Sequence, residues 1–235
     1  QQFGGSVGGP IRKDKLFYFF NTELTRRDFP IVSSHTFQPL FNSNGDFVAA
    51  CTATAAQCSA ARTFLDRFRR EVPRTADQEL LFGKFDYRAN DKNTFSASFN
   101  YLRWFSPAGI QTGATLNNGG ALGNNGLSTV MNRNGRLAWT NLPTTSMVNE
   151  FRFGWFKDRL YDALDPALNP PGGFVGTLTI NGVSNLGTPN YLPRVQPSED
   201  RFQFADNLSW ITGRHIFKFG ADIAHTRDIQ DQLLN

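Results

Sequence analysis

The chain has 235 residues, of which 14% are aromatic and 19% charged, with a formal net charge of +4. Phenylalanine occurs 23 times against 2 methionines, yet mean hydropathy is only −0.38, which points to strands with one apolar and one wet face rather than to a uniformly greasy core. No stretch approaches the roughly 18 consecutive apolar residues of a membrane-spanning helix, and the mostly scattered basic residues argue against a nucleic-acid partner.

The first segment, QFGGSVGGPIRKDKLFYFFNTE, raises the question of a phosphate-binding loop. Neither glycine pair is followed by the Lys-Ser/Thr of a P-loop, and the dinucleotide spacing fails from Gly4, which meets Ser6, and from Gly5, which meets Val7. FGGSVGGPI and LFYFFNTEL instead form the arms of a hairpin about RKDK (12–15), with Pro10 near a strand end. In LFYFFN both parities are apolar, so its facing stays open.

A long connection over 26–77 follows. It holds Cys51 and Cys58, for which a local disulfide in an oxidising compartment is expected ahead of free thiols. His35, His215 and His225 are far apart in sequence, and no metal site or cofactor is expected. SAARTFLDRFRREV predicts a helix capped by Ser59, with Phe64, Leu65, Phe68 and Val72 on one side. The basic group Arg62, Arg67, Arg69, Arg70 and Arg74 is expected to be a solvated face.

Alternation with period 2 dominates the rest. Leu81, Gly83, Phe85 and Tyr87 alternate with Lys84, Asp86 and Arg88, and Phe95, Ala97, Phe99 and Tyr101 with Ser96, Ser98 and Asn100. Further on, Phe151, Phe153 and Trp155 alternate with Glu150, Arg152 and Gly154, and Phe217, Phe219, Ala221 and Ile223 with Lys218, Gly220 and Asp222. RFQFADNLSW puts Asp206 among Phe202, Phe204, Leu208 and Trp210, which implies a rim position, a bulge or a different register. His225 and Asp228 are expected to be a rim pair.

Short turns at RKDK, RANDKN (88–93), TNLPTTS (140–146) and TGRH (212–215) alternate with long connections over 26–77, 105–130 and 159–199. That one-sided asymmetry is the pattern of an outer-membrane barrel, because only helices and closed barrels satisfy their backbone inside hydrocarbon. Trp104, Trp139, Trp155 and Trp210 are expected near strand ends, as girdle residues. The predicted fold is all-β: about eight antiparallel strands of a larger transmembrane barrel, with short periplasmic turns and long extracellular loops. Lys84, Asp86, Arg88, Arg136, Glu150, Arg152, Lys218 and Asp222 are the candidate lumen-facing residues.

QFGGSVGGPIRKDKLFYFFNTE, NEFRFGWFKDR and QFADNLSWITGRHIFKFGADI resemble the barrel of TonB-dependent outer-membrane receptors of the Oar-like type, which carry a carboxypeptidase-regulatory-like domain. The resemblance covers nearly every strand and not the long loops. It implies that 1–235 is part of a receptor barrel of about 22 strands, in the outer membrane of a Gram-negative bacterium. It also implies a plug domain in the same full-length chain, the TonB complex as partner through the region before the barrel, and uptake of a scarce, large ligand. Outer-membrane lipid and lipopolysaccharide are the other expected partners. Neither a TonB box nor a plug motif is recognisable in these residues. A passive porin or a small eight-stranded adhesin barrel is the alternative. A soluble sandwich would have short connections at both ends, and no enzyme is expected, since no G-x-S-x-G elbow is present.

Overall fold

Alternating side chains and short polar turns give eight long strands that pair in sequence order. The computed structural model describes residues 1–28, 31–34, 42–44, 46, 48–66, 70–72, 75–106, 115–117, 127–162, 177–180, 183–187 and 194–232. In chain order the elements are β1 (Gln2–Arg12), β2 (Leu16–Asp28), β3 (Ile31–Ser34), α1 (Ala55–Asp66), β4 (Arg70–Val72), β5 (Thr75–Asn90), β6 (Asn93–Ser106), β7 (Thr115–Asn117), β8 (Ser128–Thr144), β9 (Met147–Asp162), β10 (Thr177–Ile180), β11 (Val183–Gly187), β12 (Arg194–Thr212) and β13 (His215–Gln232). The main sheet has the order β1-β2-β5-β6-β8-β9-β12-β13, with every neighbour antiparallel. Its first and last strands are not paired with each other.

The turns are tighter than their sequences implied. They occupy 13–15, Asp91–Lys92, Thr145–Ser146 and Gly213–Arg214. Asp14 takes a positive φ of 62° and Gly213 one of 58°. A glycine at the first central position of a two-residue turn suits type II′, whose twist matches the flanking strands. The strands also run further than expected, to 19 residues in β12. That is well beyond the 9–11 residues with which a tilted strand spans a bilayer.

Within the long connections there is more order than the single predicted helix. β3 pairs with β4 and, in parallel, with β7, so the loop after β2 meets the loop after β6. β10 and β11 form a small hairpin. The helix itself starts earlier than predicted. Thr54 caps it in place of Ser59: the Gln57 amide donates to Thr54 Oγ1 at 3.3 Å, and the Thr54 amide donates back to Gln57 Oε1 at 3.2 Å. This reciprocal pair is a capping box. The Ser59 carbonyl accepts from Thr63 Oγ1 inside the helix, and Val72 belongs to β4 rather than to the helix. Cys51 and Cys58 are joined by a disulfide. Phe68, Arg67, Arg69, Arg74 and His35 lie outside the described residues.

Candidate functional site

Directly paired residues of an antiparallel sheet share a face, so the register sorts the wall into two surfaces. One unbroken row runs Gly9, Tyr18, Phe85, Ala97, Leu137, Phe153, Phe204, Ile223 from edge to edge. The row beside it on the same face runs Val7, Phe20, Gly83, Phe99, Gly135, Trp155, Phe202, His225. This aromatic face is locked by ring contacts, among them Phe153 with Phe204 at 5.0 Å and Phe20 with Phe85 at 5.5 Å. Nearer the turns, Phe95 stacks on Trp139 at 6.0 Å.

The register settles the open facing of the first hairpin. Tyr18 opposes Phe85 and joins the aromatic face, whereas Phe17 opposes Asp86 and Phe19 opposes Lys84 on the charged face. It also corrects two expectations. Trp104 opposes Gln78 and lies on the charged face, and Trp155 sits mid-strand; only Trp139 and Trp210 are near the turns on the aromatic face. His225 and Asp228 are three residues apart on an unbroken strand and so point to opposite faces; they are not a pair. Asp206 does stand on the aromatic face, in unbroken register from 199 to 212. Its Oδ1 accepts a hydrogen bond from Asn149 Nδ2 at 2.9 Å, which supplies the partner that a carboxylate there needs. The slip in β12 lies elsewhere, between Val195 and Ser198 around Pro197, as the missing proline donor requires.

The eight candidate residues Lys84, Asp86, Arg88, Arg136, Glu150, Arg152, Lys218 and Asp222 all fall on the opposite face. Most are tied to neighbours: Lys84 to Asp86 at 2.8 Å, Arg152 to Glu150 at 3.5 Å and Arg88 to Asp91 of the turn at 2.9 Å. Asp222 accepts from Gln203 Nε2 with both oxygens, at 2.9 and 2.8 Å. A groove of about 670 Å3 opens here and brings together Arg136, Arg152 and Asp222 with Ser96, Ser98 and Gln203. The other five candidates share the face but lie outside that groove. Arg136, with hydroxyls and an amide around it, can hold an anionic or hydroxyl-rich group by charge-assisted hydrogen bonds. Among the described residues no group of His, Cys, Asp and Glu is placed to hold a metal.

A family model for the outer membrane beta barrel domain matches residues 1–66 and 54–235. The chain belongs to this family. It is therefore an outer-membrane barrel protein of a Gram-negative bacterium, and its eight-stranded antiparallel sheet is a segment of that barrel. No curated protein and no solved structure matches it. Two features of the barrel chain escape a reading by alternation alone. One is the set of aromatic side chains Phe17, Phe19 and Phe82 on the charged face, with the Phe19 and Phe82 rings 6.2 Å apart. The other is a set of cations on the aromatic face near the loops, at Arg103, Arg133, Lys157 and Arg159.

Proposed function

We propose that residues 1–235 are part of the wall of a larger barrel, with the aromatic face against lipid and the charged face toward the lumen. We further propose that this barrel is a TonB-dependent active transporter for a scarce, large ligand. The observation that carries the reading is the sheet order, whose end strands β1 and β13 do not close on each other. An open edge cannot stand in hydrocarbon, so further strands must pair with both. A barrel well above eight strands encloses a lumen wide enough for a channel or a plug.

Phe17, Phe19 and Phe82 favour the plugged form over a passive porin. A water-filled pore would leave these rings wet, whereas an interior domain of the same chain would cover them. The groove around Arg136 would then face that plug or a hydrated passage beside it. Energy coupling to the TonB complex rests on the resemblance of the three quoted motifs, the first hairpin among them, to the Oar-like receptors. No catalytic role is proposed.

The test uses the full-length protein. Its complete reading frame is expected to supply a plug domain before residue 1 and further hairpins after residue 235. A photo-reactive phenylalanine at position 19 is then expected to trap a peptide from that plug. A frame with neither plug nor further strands, or a position 19 that captures only lipid, would overturn the transporter reading.

A further inference from the structure

The charged face holds a second hollow beside the groove at Arg136. It measures about 270 Å3 and shares Arg136, Gly154 and Gln203 with the first, so the two form one trough. Register sets its floor. Arg136, Gly154 and Gln203 oppose one another in one row, and Asn134, Phe156 and Arg201 in the next row toward the loops. Gly154 leaves the middle open: a Cβ there would meet only the Gln203 Cβ, at 3.9 Å. Of the aromatic residues that line the trough, only the half-buried Phe156 belongs to the charged face; Phe153 and Trp155 belong to the other.

Its charges are unevenly answered. Arg152 has Glu150 at 3.5 Å, and Asp222 is taken up by the Gln203 amide. Neither Arg136 nor Arg201 has a carboxylate partner among the described residues. Glu199 lines the second hollow, but its register partners are Asp158 and Asp228, so it sets the loop-side limit of the cationic stretch. Arg136 and Arg201 stand two strands and one row apart, which puts their Cα atoms about 12 Å from each other. Between them lie the Gly154 gap and the Phe156 ring, and Ser98 is the register partner of Arg136 on the other side.

We infer that this trough is a binding site for an acidic oligosaccharide, a chain of sugars that carry carboxylates. Two successive carboxylates accept from the Arg136 and Arg201 guanidinium groups, which match them bidentately. The apolar side of a sugar ring lies on Phe156 over the Gly154 gap, as few polar groups around an aromatic surface orient a ligand. Ser96, Ser98, Asn134 and Gln203 exchange hydrogen bonds with the ring hydroxyls. The inference rests on the charged face lining the lumen, as proposed above, and thiol labelling along β9 tests that facing independently.

The experiment titrates trigalacturonate into the purified full-length protein in detergent and follows the heat of binding, which needs no energy source. Arg136→Gln with Arg201→Gln is expected to weaken binding roughly tenfold or more, since two charge-assisted contacts are lost. Phe156→Leu should weaken it as well, and Arg214→Gln, at a distant turn, should change nothing. Arg136→Lys with Arg201→Lys keeps the charge, should retain most of the binding and guards against a folding defect. The methyl ester of trigalacturonate, with the same rings and no charge, should bind as weakly as the acid binds the double glutamine variant. A glutamate tripeptide, with carboxylates and no sugar, should bind more weakly than trigalacturonate. No binding to the unaltered protein, as when a side chain of the plug fills the trough, would overturn the proposal. So would equal binding by the glutamine or leucine variants, or by the ester or the tripeptide. None of these results touches the transporter reading, which the reading frame and the trap at position 19 decide.

Discussion

Two adjacent glycines in β1 behave differently because their Cβ positions differ. A Cβ on Gly4 would come within 2.9 Å of the Thr22 carbonyl oxygen, a backbone atom fixed by the β1–β2 ladder, whereas one on Gly5 would meet nothing within 4 Å. Gly4→Ala should therefore destabilise the folded barrel by about 1–3 kcal/mol through overpacking. Gly5→Ala should be neutral or stabilise by roughly 0.4–1 kcal/mol, since it restricts the unfolded chain. Urea unfolding of the full-length protein in lipid vesicles measures both; equal midpoints for the two variants would contradict the register of the first hairpin. Phe153 packs on Phe204 midway along its strand. Phe153→Arg is expected to lower stability by about 2–4 kcal/mol if the aromatic face meets lipid at the midplane. Arg152→Phe should be much milder if the charged face meets the lumen. Equal outer-membrane levels of the two variants would argue against the proposed facing.

Element by element, the strands were the most readable part of the sequence. Phe95, Ala97 and Phe99, or Phe151, Phe153 and Trp155, alternate with polar residues so regularly that only one face can be apolar. LFYFFN was not readable because Phe17 and Phe19 are as apolar as Tyr18 and Phe20; only pairing with Lys84 and Phe85 separates them. The helix was misplaced for a similar reason. Ser59 is a good cap followed by periodic apolar residues, while Thr54 and Gln57 flank alanines that give no amphipathic signal. The capping box makes a prediction of its own. Thr54→Ala should remove about 1 kcal/mol of local helix stability, so protease should cut within 51–66 faster while the barrel strands remain protected. Unchanged cleavage would mean that the cap does not hold the helix. The cations of the loop-side margin escaped because they sit where alternation fades, and only cross-strand register shows that Arg133 and Lys157 are neighbours.

At the scale of the whole molecule, the sheet is staggered as well as open. The turn end of the strand lies two residues before the Tyr18 row position at Leu16, but eight before Ile223 at His215. Such progressive shear is what tilted barrel strands require, and no single segment of sequence contains it. The charged groove, by contrast, was partly legible: parity put Arg136, Arg152 and Asp222 on one face, but their meeting depends on three strand pairings. The open edges have a direct consequence. Residues 1–235 expressed alone and refolded in detergent should fail to give a monomeric, heat-modifiable barrel, because β1 and β13 present unpaired ladders that self-associate. A monodisperse, heat-modifiable monomer would show that eight strands close unaided and would remove the need for a larger barrel.

The assignment of faces supports everything else, and thiol labelling along β9 in the intact outer membrane tests it most directly. Single cysteines replace Glu150, Phe151, Arg152, Phe153, Gly154 and Trp155 in turn in the full-length protein, the native Cys51 and Cys58 being bonded to each other. A water-soluble maleimide should label positions 150, 152 and 154, while 151, 153 and 155 should stay protected and report a lipid-quenched environment when labelled with a fluorophore after unfolding and refolding. Uniform labelling, or alternation of the opposite parity, would contradict the account.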